Sequence, residues 1–249
     1  MASYASPEFL AQLKTAFPQS AELKGTKAVL SNPWYYVAAV GFGSSNRPEA
    51  VPFVFKQAFA DLREAQTANG VEGAEAREEQ LLLVRRFREA LLKAGVLCGC
   101  ARAINALMAL YEVTPEDLKD TKTLRRQNVT IEEYTKHGDK VFRSIYAETA
   151  DRTQTILDSI YPDMGWYSTV IGYGMTYGQT DVFSQVETSF CLVSALIAMD
   201  VALQAGWHMR NSLHGGATLE EAQAIRRMAM SVAEKSGINW RDPIPEVYQ

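Results

Sequence analysis

The stretch from Ser184 to Glu221 constrains this chain most, because its helix signals come in fixed order with little room for another register. Ser184 followed by Glu187 fits a capping box, and Phe190, Val193, Leu196 and Ile197 then repeat at helical spacing. Asp200 is placed to cap a second helix from Val201 to Leu213, with Gly215 and Gly216 to end it. Thr218 with Glu221 opens a third helix in the same way. A short turn at Asp200 makes the first two helices antiparallel neighbours. Glu187 and His208 are then expected at one end of the pair, a carboxylate within reach of an imidazole.

Composition narrows the class. The 249 residues, 47% hydrophobic and 22% charged, are ordinary for a globular protein and suffice for one large domain or two smaller ones. A net charge of −4, with no basic stripe interleaved with aromatics, argues against nucleic acid and anionic membrane as partners. The longest apolar run, Leu192 to Met199, is too short to span a bilayer, and the first residues do not read as a secretory signal. Three cysteines (Cys98, Cys100 and Cys191) make no disulfide framework and suggest a reducing compartment. The cytoplasm is the expected location, with the mitochondrial matrix or another organelle left open.

Helical spacing recurs along the rest of the chain. Pro7 to Phe17, Val51 to Gln66, and Glu75 to Gly95 with Leu82, Leu83, Phe87 and Leu91 on one face all read as helices. A further helix follows Cys98-Gly99-Cys100, and Thr130 with Glu133 caps a segment that keeps helical period to Leu157. Residues 24–52 carry Pro33, Gly41, Gly43 and Pro48, which break regular structure, and Gly172 to Gly178 reads as a glycine-rich break. No segment alternates with period two between turns, so the fold class is all-α. Glu79 to Leu118 and Ser184 to Ala222 share one order of helix, break, short helix and Thr plus acidic residues, about 104 residues apart, a weak internal duplication.

Glu187-Thr-Ser-Phe followed by Trp207-His208-Met-Arg-Asn-Ser-Leu-His-Gly-Gly-Ala-Thr218 resembles the carboxymuconolactone decarboxylase family, within the wider alkyl-hydroperoxidase D-like superfamily. Two departures stand out: Ser189 where the family often has a second Glu, and Ser212 in place of the usual Ala. Arg88 to Leu107 is similar to the N-terminal half of two-repeat members, which places the likeness over about residues 75–236. The resemblance implies two tandem helical repeats packed as one unit. The expected layout is an N-terminal extension (1–74), a degenerate repeat (75–128), a helical connection (129–178), a second repeat with the site (179–236) and a tail (237–249). It also implies a homo-oligomer, a trimer or dimer, and a lyase, decarboxylase or isomerase that needs no cofactor and acts on a small oxygenated acid or lactone.

A histidine with its unperturbed pKa of about 6.5 can act as acid or base at neutral pH, which makes His208 the expected proton-transfer residue, against a core-edge role in which it donates to a backbone carbonyl. Glu187 either caps its helix or also orients His208. In this scheme Trp207 walls the site, Arg210 stabilises a developing oxyanion, and Ser189 and His214 complete the substrate contacts, although His214 at a helix end also suits the dipole. Cys98 and Cys100 are either a reactive pair near a helix start or small buried residues at a helix crossing. The first option leaves open a thiol-dependent peroxidase, and a non-catalytic oligomeric protein is the third reading. No His or Cys spacing suits a metal, and Gly172-Tyr-Gly174 fails as a dinucleotide fingerprint because Tyr177 stands where the third Gly belongs.

Overall fold

The structure, a computed structural model, describes residues 4–248. Among these the regular elements are all helical: α1 (Pro7–Ala16), α2 (Gly25–Ser31), α3 (Trp34–Ser44), α4 (Val51–Asn69), α5 (Gly73–Cys98), α6 (Cys100–Val113), α7 (Ile131–Tyr146), α8 (Ala150–Ile160), α9 (Pro162–Tyr167), a π-helix (Ser168–Tyr177), α10 (Gln185–Ala198), α11 (Ala202–His214) and α12 (Leu219–Lys235). The all-α class expected from periodicity is the one observed.

The molecule is built around α3, every residue of which is buried. It packs against α5, α10, α12 and α4, so the first seventy residues supply the middle of the core rather than standing apart as an extension. The breaks expected over residues 24–52 are instead two helices joined at Asn32–Pro33. A helix buried on all sides shows no amphipathic stripe, which removes the signal that marks surface helices. Its glycines serve close packing: a Cβ on Gly41 would lie 2.7 Å from Val232, and one on Gly43 would lie 3.2 Å from Ala106.

The capping boxes at Thr130, Ser184 and Thr218 all form, each hydroxyl accepting from the backbone N–H three residues on while the Glu accepts in return. Gly216, at φ +105°, ends α11 as its position implies. Asp200 does not cap α11. It takes a left-handed φ of 60°, and its carboxylate accepts from the Arg241 guanidinium at 2.7 Å; Val201 stands at the cap position. The turn still reverses the chain, and α10 and α11 pack together.

Two further expectations change. The continuous helix to Leu157 is interrupted at Ala147, which has φ 46°, so α7 and α8 are separate. Gly172 to Gly178 is not a break, because the π-helix runs through it. That helix crosses α7 at glycines: a Cβ on Gly138 would lie 2.0 Å from the Thr169 carbonyl oxygen, and one on Gly174 would lie 2.4 Å from that of Tyr134. Only glycine permits backbones this close. π-Helical turns are rare and cluster at functional sites. This one delivers Tyr173 and Tyr177 to a small core with Phe142 and Tyr146.

Candidate functional site

α11 presents Trp207, Arg210 and Asn211 to a cavity of about 180 Å³. The opposite wall comes from the end of α7 and from α8, through Tyr146, Thr149, Arg152, Thr153 and Ile156. Asn211 is almost fully buried; its amide Nδ2 approaches the Tyr146 hydroxyl without closing a hydrogen bond of normal geometry, and it is covered from solvent. A donor left weakly partnered costs up to about 1–3 kcal/mol, which a ligand oxygen would relieve only by displacing the groups that now cover Nδ2. Arg152 and Arg210 are exposed at the rim, and neither forms an ion pair among the described residues. Trp207 and Arg210, the two residues expected to contact a substrate, both line this cavity.

His208, one turn before Asn211, is buried and its Nδ1 is likewise unpartnered. It lies behind the wall rather than in it, with its ring 6.2 Å from that of Tyr146. Burial pulls its pKa down to about 4, so the imidazole is neutral at pH 7. It cannot then hold a proton ready to deliver, and the chemistry left to it is that of an acceptor. The backbone-carbonyl bond of a core-edge histidine is not formed at Nδ1.

Tyr146 links this layer to the π-helix. Its hydroxyl is 3.1 Å from that of Tyr173, and the rings of Tyr173 and Tyr177 pack edge to face at 5.2 Å. Burial raises the pKa of all three phenols, which keeps them neutral donors. Tyr177 Oη, like His208 Nδ1, has no partner among the described residues.

Glu187 is not brought to His208. Its carboxylate accepts from Ser184 as the capping box demands and pairs with the Arg86 guanidinium. Arg86 is itself buried, donates to the Tyr35 hydroxyl at 2.7 Å, and lies over the ring of Phe183. The carboxylate faces a separate cavity of about 200 Å³, lined among others by Phe17, Phe190 and Glu221. Both helices run as expected, but they place Glu187 near the end of α11, where the guanidinium from α5 captures it. Ser189 is buried and donates to the Gln185 carbonyl within its own helix. His214 bonds through Nδ1 to the Ile145 carbonyl at 3.2 Å and stands 3.8 Å from Glu148, and it lines an outer groove rather than the first cavity.

Lys93 is fully buried and donates to the carbonyls of Tyr177 and Gln179 and to the Thr188 hydroxyl, all within 3.0 Å. Burial lowers its pKa to about 8. It fastens α5 to the end of the π-helix and to α10, and so fixes the tyrosine layer. A lysine amid Ala90, Leu91 and Ala94 was the signal in the sequence that went unread. For Asn211 the signal was its position three residues after His208, on the same helix face. Arg152 and Thr149 left no such mark.

Cys98 ends α5, so no helix N-terminus lowers its pKa; burial instead raises it. Cys100 begins α6 and is exposed, with Gly99 at φ 90° between them. The pair is therefore at a helix junction but not sealed in a crossing. Disulfide-reagent titration of the native protein is expected to show one fast thiol, Cys100, one slow, Cys98, and a third, the buried Cys191, only after unfolding. Two equally fast native thiols would contradict this order. Among the described residues no three metal-binding side chains gather, and no helix is long and apolar enough to cross a membrane.

No protein-family profile and no solved structure matches the chain. It is similar to Peroxisomal protein 2 of Saccharomyces cerevisiae, 27% identical over an alignment covering 86% of this chain and 92% of the yeast protein. The Schizosaccharomyces pombe protein of the same name is 25% identical, over 84% of this chain and 90% of that protein. Neither name states a reaction.

Proposed function

We propose that the chain is an enzyme of the carboxymuconolactone decarboxylase-like type, acting without a cofactor on a small oxygenated acid or lactone held between α8 and α11. The observation that carries this is a cavity rimmed by two guanidinium groups, with Asn211 in its wall and the unpartnered Nδ1 of His208 one turn behind it on α11. The likeness to the family is supported by the matching order of α5–α6 and α10–α11, each pair joined at a positive-φ residue, Gly99 and Asp200.

The neutral imidazole favours proton abstraction and return over initial proton donation. In this scheme a ligand carboxylate lies against Arg152 and Arg210, and its carbonyl oxygen accepts from Asn211. Because His208 lies behind the wall, a substrate carbon can give its proton to the ring only when Tyr146 and Asn211 part on binding. The enolate oxygen is stabilised by the Asn211 amide and the neutral Tyr146 phenol, and the imidazolium returns the proton to another carbon. Isomerisation fits this cycle more directly than decarboxylation. The relatives' names favour a peroxisomal location over the cytoplasm.

A panel of keto, hydroxy and unsaturated acids and their lactones, titrated calorimetrically and followed by NMR in D₂O, tests the reading. Asn211→Leu is expected to weaken binding by about ten- to a hundred-fold. His208→Phe is expected to keep binding and lose substrate deuteration. Binding untouched by Asn211→Leu, or deuteration that persists in His208→Phe, would sink the assignment.

A further inference from the structure

The cavity between α8 and α11 is small for an organic ligand. Its volume of about 180 Å³ equals about six waters, whereas ligand pockets usually enclose about 300 Å³ or more. Small acids fit it, and a longer ligand continues outward along the two helices. His214 at the end of α11 touches Ile145 and Glu148 just before α8, so the start of α8 lies beside the end of α11. Ile156 of α8 and Trp207 of α11 line the same cavity, so the chain of α8 beyond Arg152 leads back toward the first half of α11.

Along that direction both helices turn apolar. On α8, Arg152, Ile156 and Ile160 recur at four-residue spacing and share a face; on α11, Leu203, Trp207 and Arg210, spaced by four and then three, also share one. Ile160 and Leu203 are 69% and 64% exposed, the outermost members of these two rows. At the other end the charge is cationic and uncommitted. Asp151 is taken by Arg143 at 2.7 Å and Glu148 stands by His214, which leaves Arg152 and Arg210 without ion-pair partners among the described residues. A groove with two guanidinium groups at one end, and apolar side chains leading from it, suits a particular shape of anion.

The geometry points to a monocarboxylate with an extended apolar body as the occupant. Its carboxylate lies at Arg152 and Arg210, its first carbons lie in the cavity by Asn211 and Tyr146, and its chain runs between Ile156 and Trp207 toward Ile160 and Leu203. This rests on the site proposed above and narrows it. A second charge or several hydroxyls on the far end of the ligand would face the isoleucines and leucine and forfeit their contact.

Calorimetric titration of the full chain with butanoate, hexanoate and octanoate, with 1-octanol as the uncharged control, tests the assignment. Affinity is expected to rise about two- to four-fold per methylene, and octanoate to bind at least about tenfold more tightly than octanol. Ile160→Ser, at an exposed position outside the cavity wall, is expected to flatten the upper end of the series while butanoate still binds. The Arg152→Ala and Arg210→Ala double variant is expected to erase the acid–alcohol difference. A flat series in the native protein, with butanoate binding still lost in Asn211→Leu, would overturn the extended-chain assignment and leave the acid site standing. No binding by any acid, keto and hydroxy acids included, would overturn both. Binding only to oleate-bearing phosphatidylcholine vesicles, with none to monomeric octanoate, would overturn it in favour of a membrane contact. Self-association abolished by Leu203→Asp, with octanoate unable to compete, would overturn it in favour of a second copy of the chain.

Discussion

Replacing Glu187 with alanine is expected to destabilise the protein by about 3 kcal/mol, more than losing a helix cap alone would explain. The reason lies in Arg86. Its guanidinium is buried between the rings of Tyr36 and Phe183, and its remaining hydrogen bond goes to the neutral Tyr35 hydroxyl. Removing the carboxylate strands a buried cation, which is far worse than never burying it. Glu187→Gln keeps a side-chain acceptor for the Ser184 N–H and so separates the two contributions. It should lose most of the same stability, because the lost quantity is charge rather than the cap. Arg86→Met combined with Glu187→Gln should recover part of the loss. Urea unfolding of the four proteins decides the matter. A loss of about 1 kcal/mol in Glu187→Ala, unchanged by the second substitution, would reduce Glu187 to its capping role.

Acidification supplies the second large effect. His208 has its pKa pulled down by burial from 6.5 to about 4. Between these values the unfolded chain binds a proton that the folded chain refuses, so stability is full above pH 6.5 and falls as the pH drops toward 4. At about 1.4 kcal/mol per pH unit, the loss attributable to this one ring reaches about 3 kcal/mol near pH 4. Carboxylates titrate in the same range, so the comparison must be made against His208→Asn. That variant is expected to show a pH 7 to pH 4 stability difference smaller by about this amount. Equal acid sensitivity in the two proteins would mean that the ring is hydrated and free to ionise. The same low pKa predicts that proton abstraction at the proposed site stays flat from pH 7 down to about pH 5, since the base remains unprotonated there.

Much of the helical order was legible because it rests on local signals. A Ser or Thr three residues before a Glu can cap a helix from local contacts alone, and the pairs at Thr130, Ser184 and Thr218 do so, whereas Ser231 with Glu234 lies inside α12 and caps nothing. The reversal at Asp200 was also legible, although its mechanism was not. The carboxylate goes to Arg241, forty-one residues away, a partner no local rule could name. The element that organises the molecule, α3, was hidden for the opposite reason: total burial leaves a helix with no polar face to keep time by.

The sequence by itself determined that the chain is all helical, where most helices start, and that Trp207, His208 and Arg210 fall on one short helix. Tertiary structure alone decided what those residues meet. It turned Glu187 away to Arg86, set Asn211 beside a cavity whose other wall comes from α8, and buried His208 until its charge became too costly to hold. Hydrogen bonds within one turn depend on neighbours in the chain. The protonation of an imidazole and the company of a carboxylate depend on desolvation and on charges brought from far along it, and only packing fixes those.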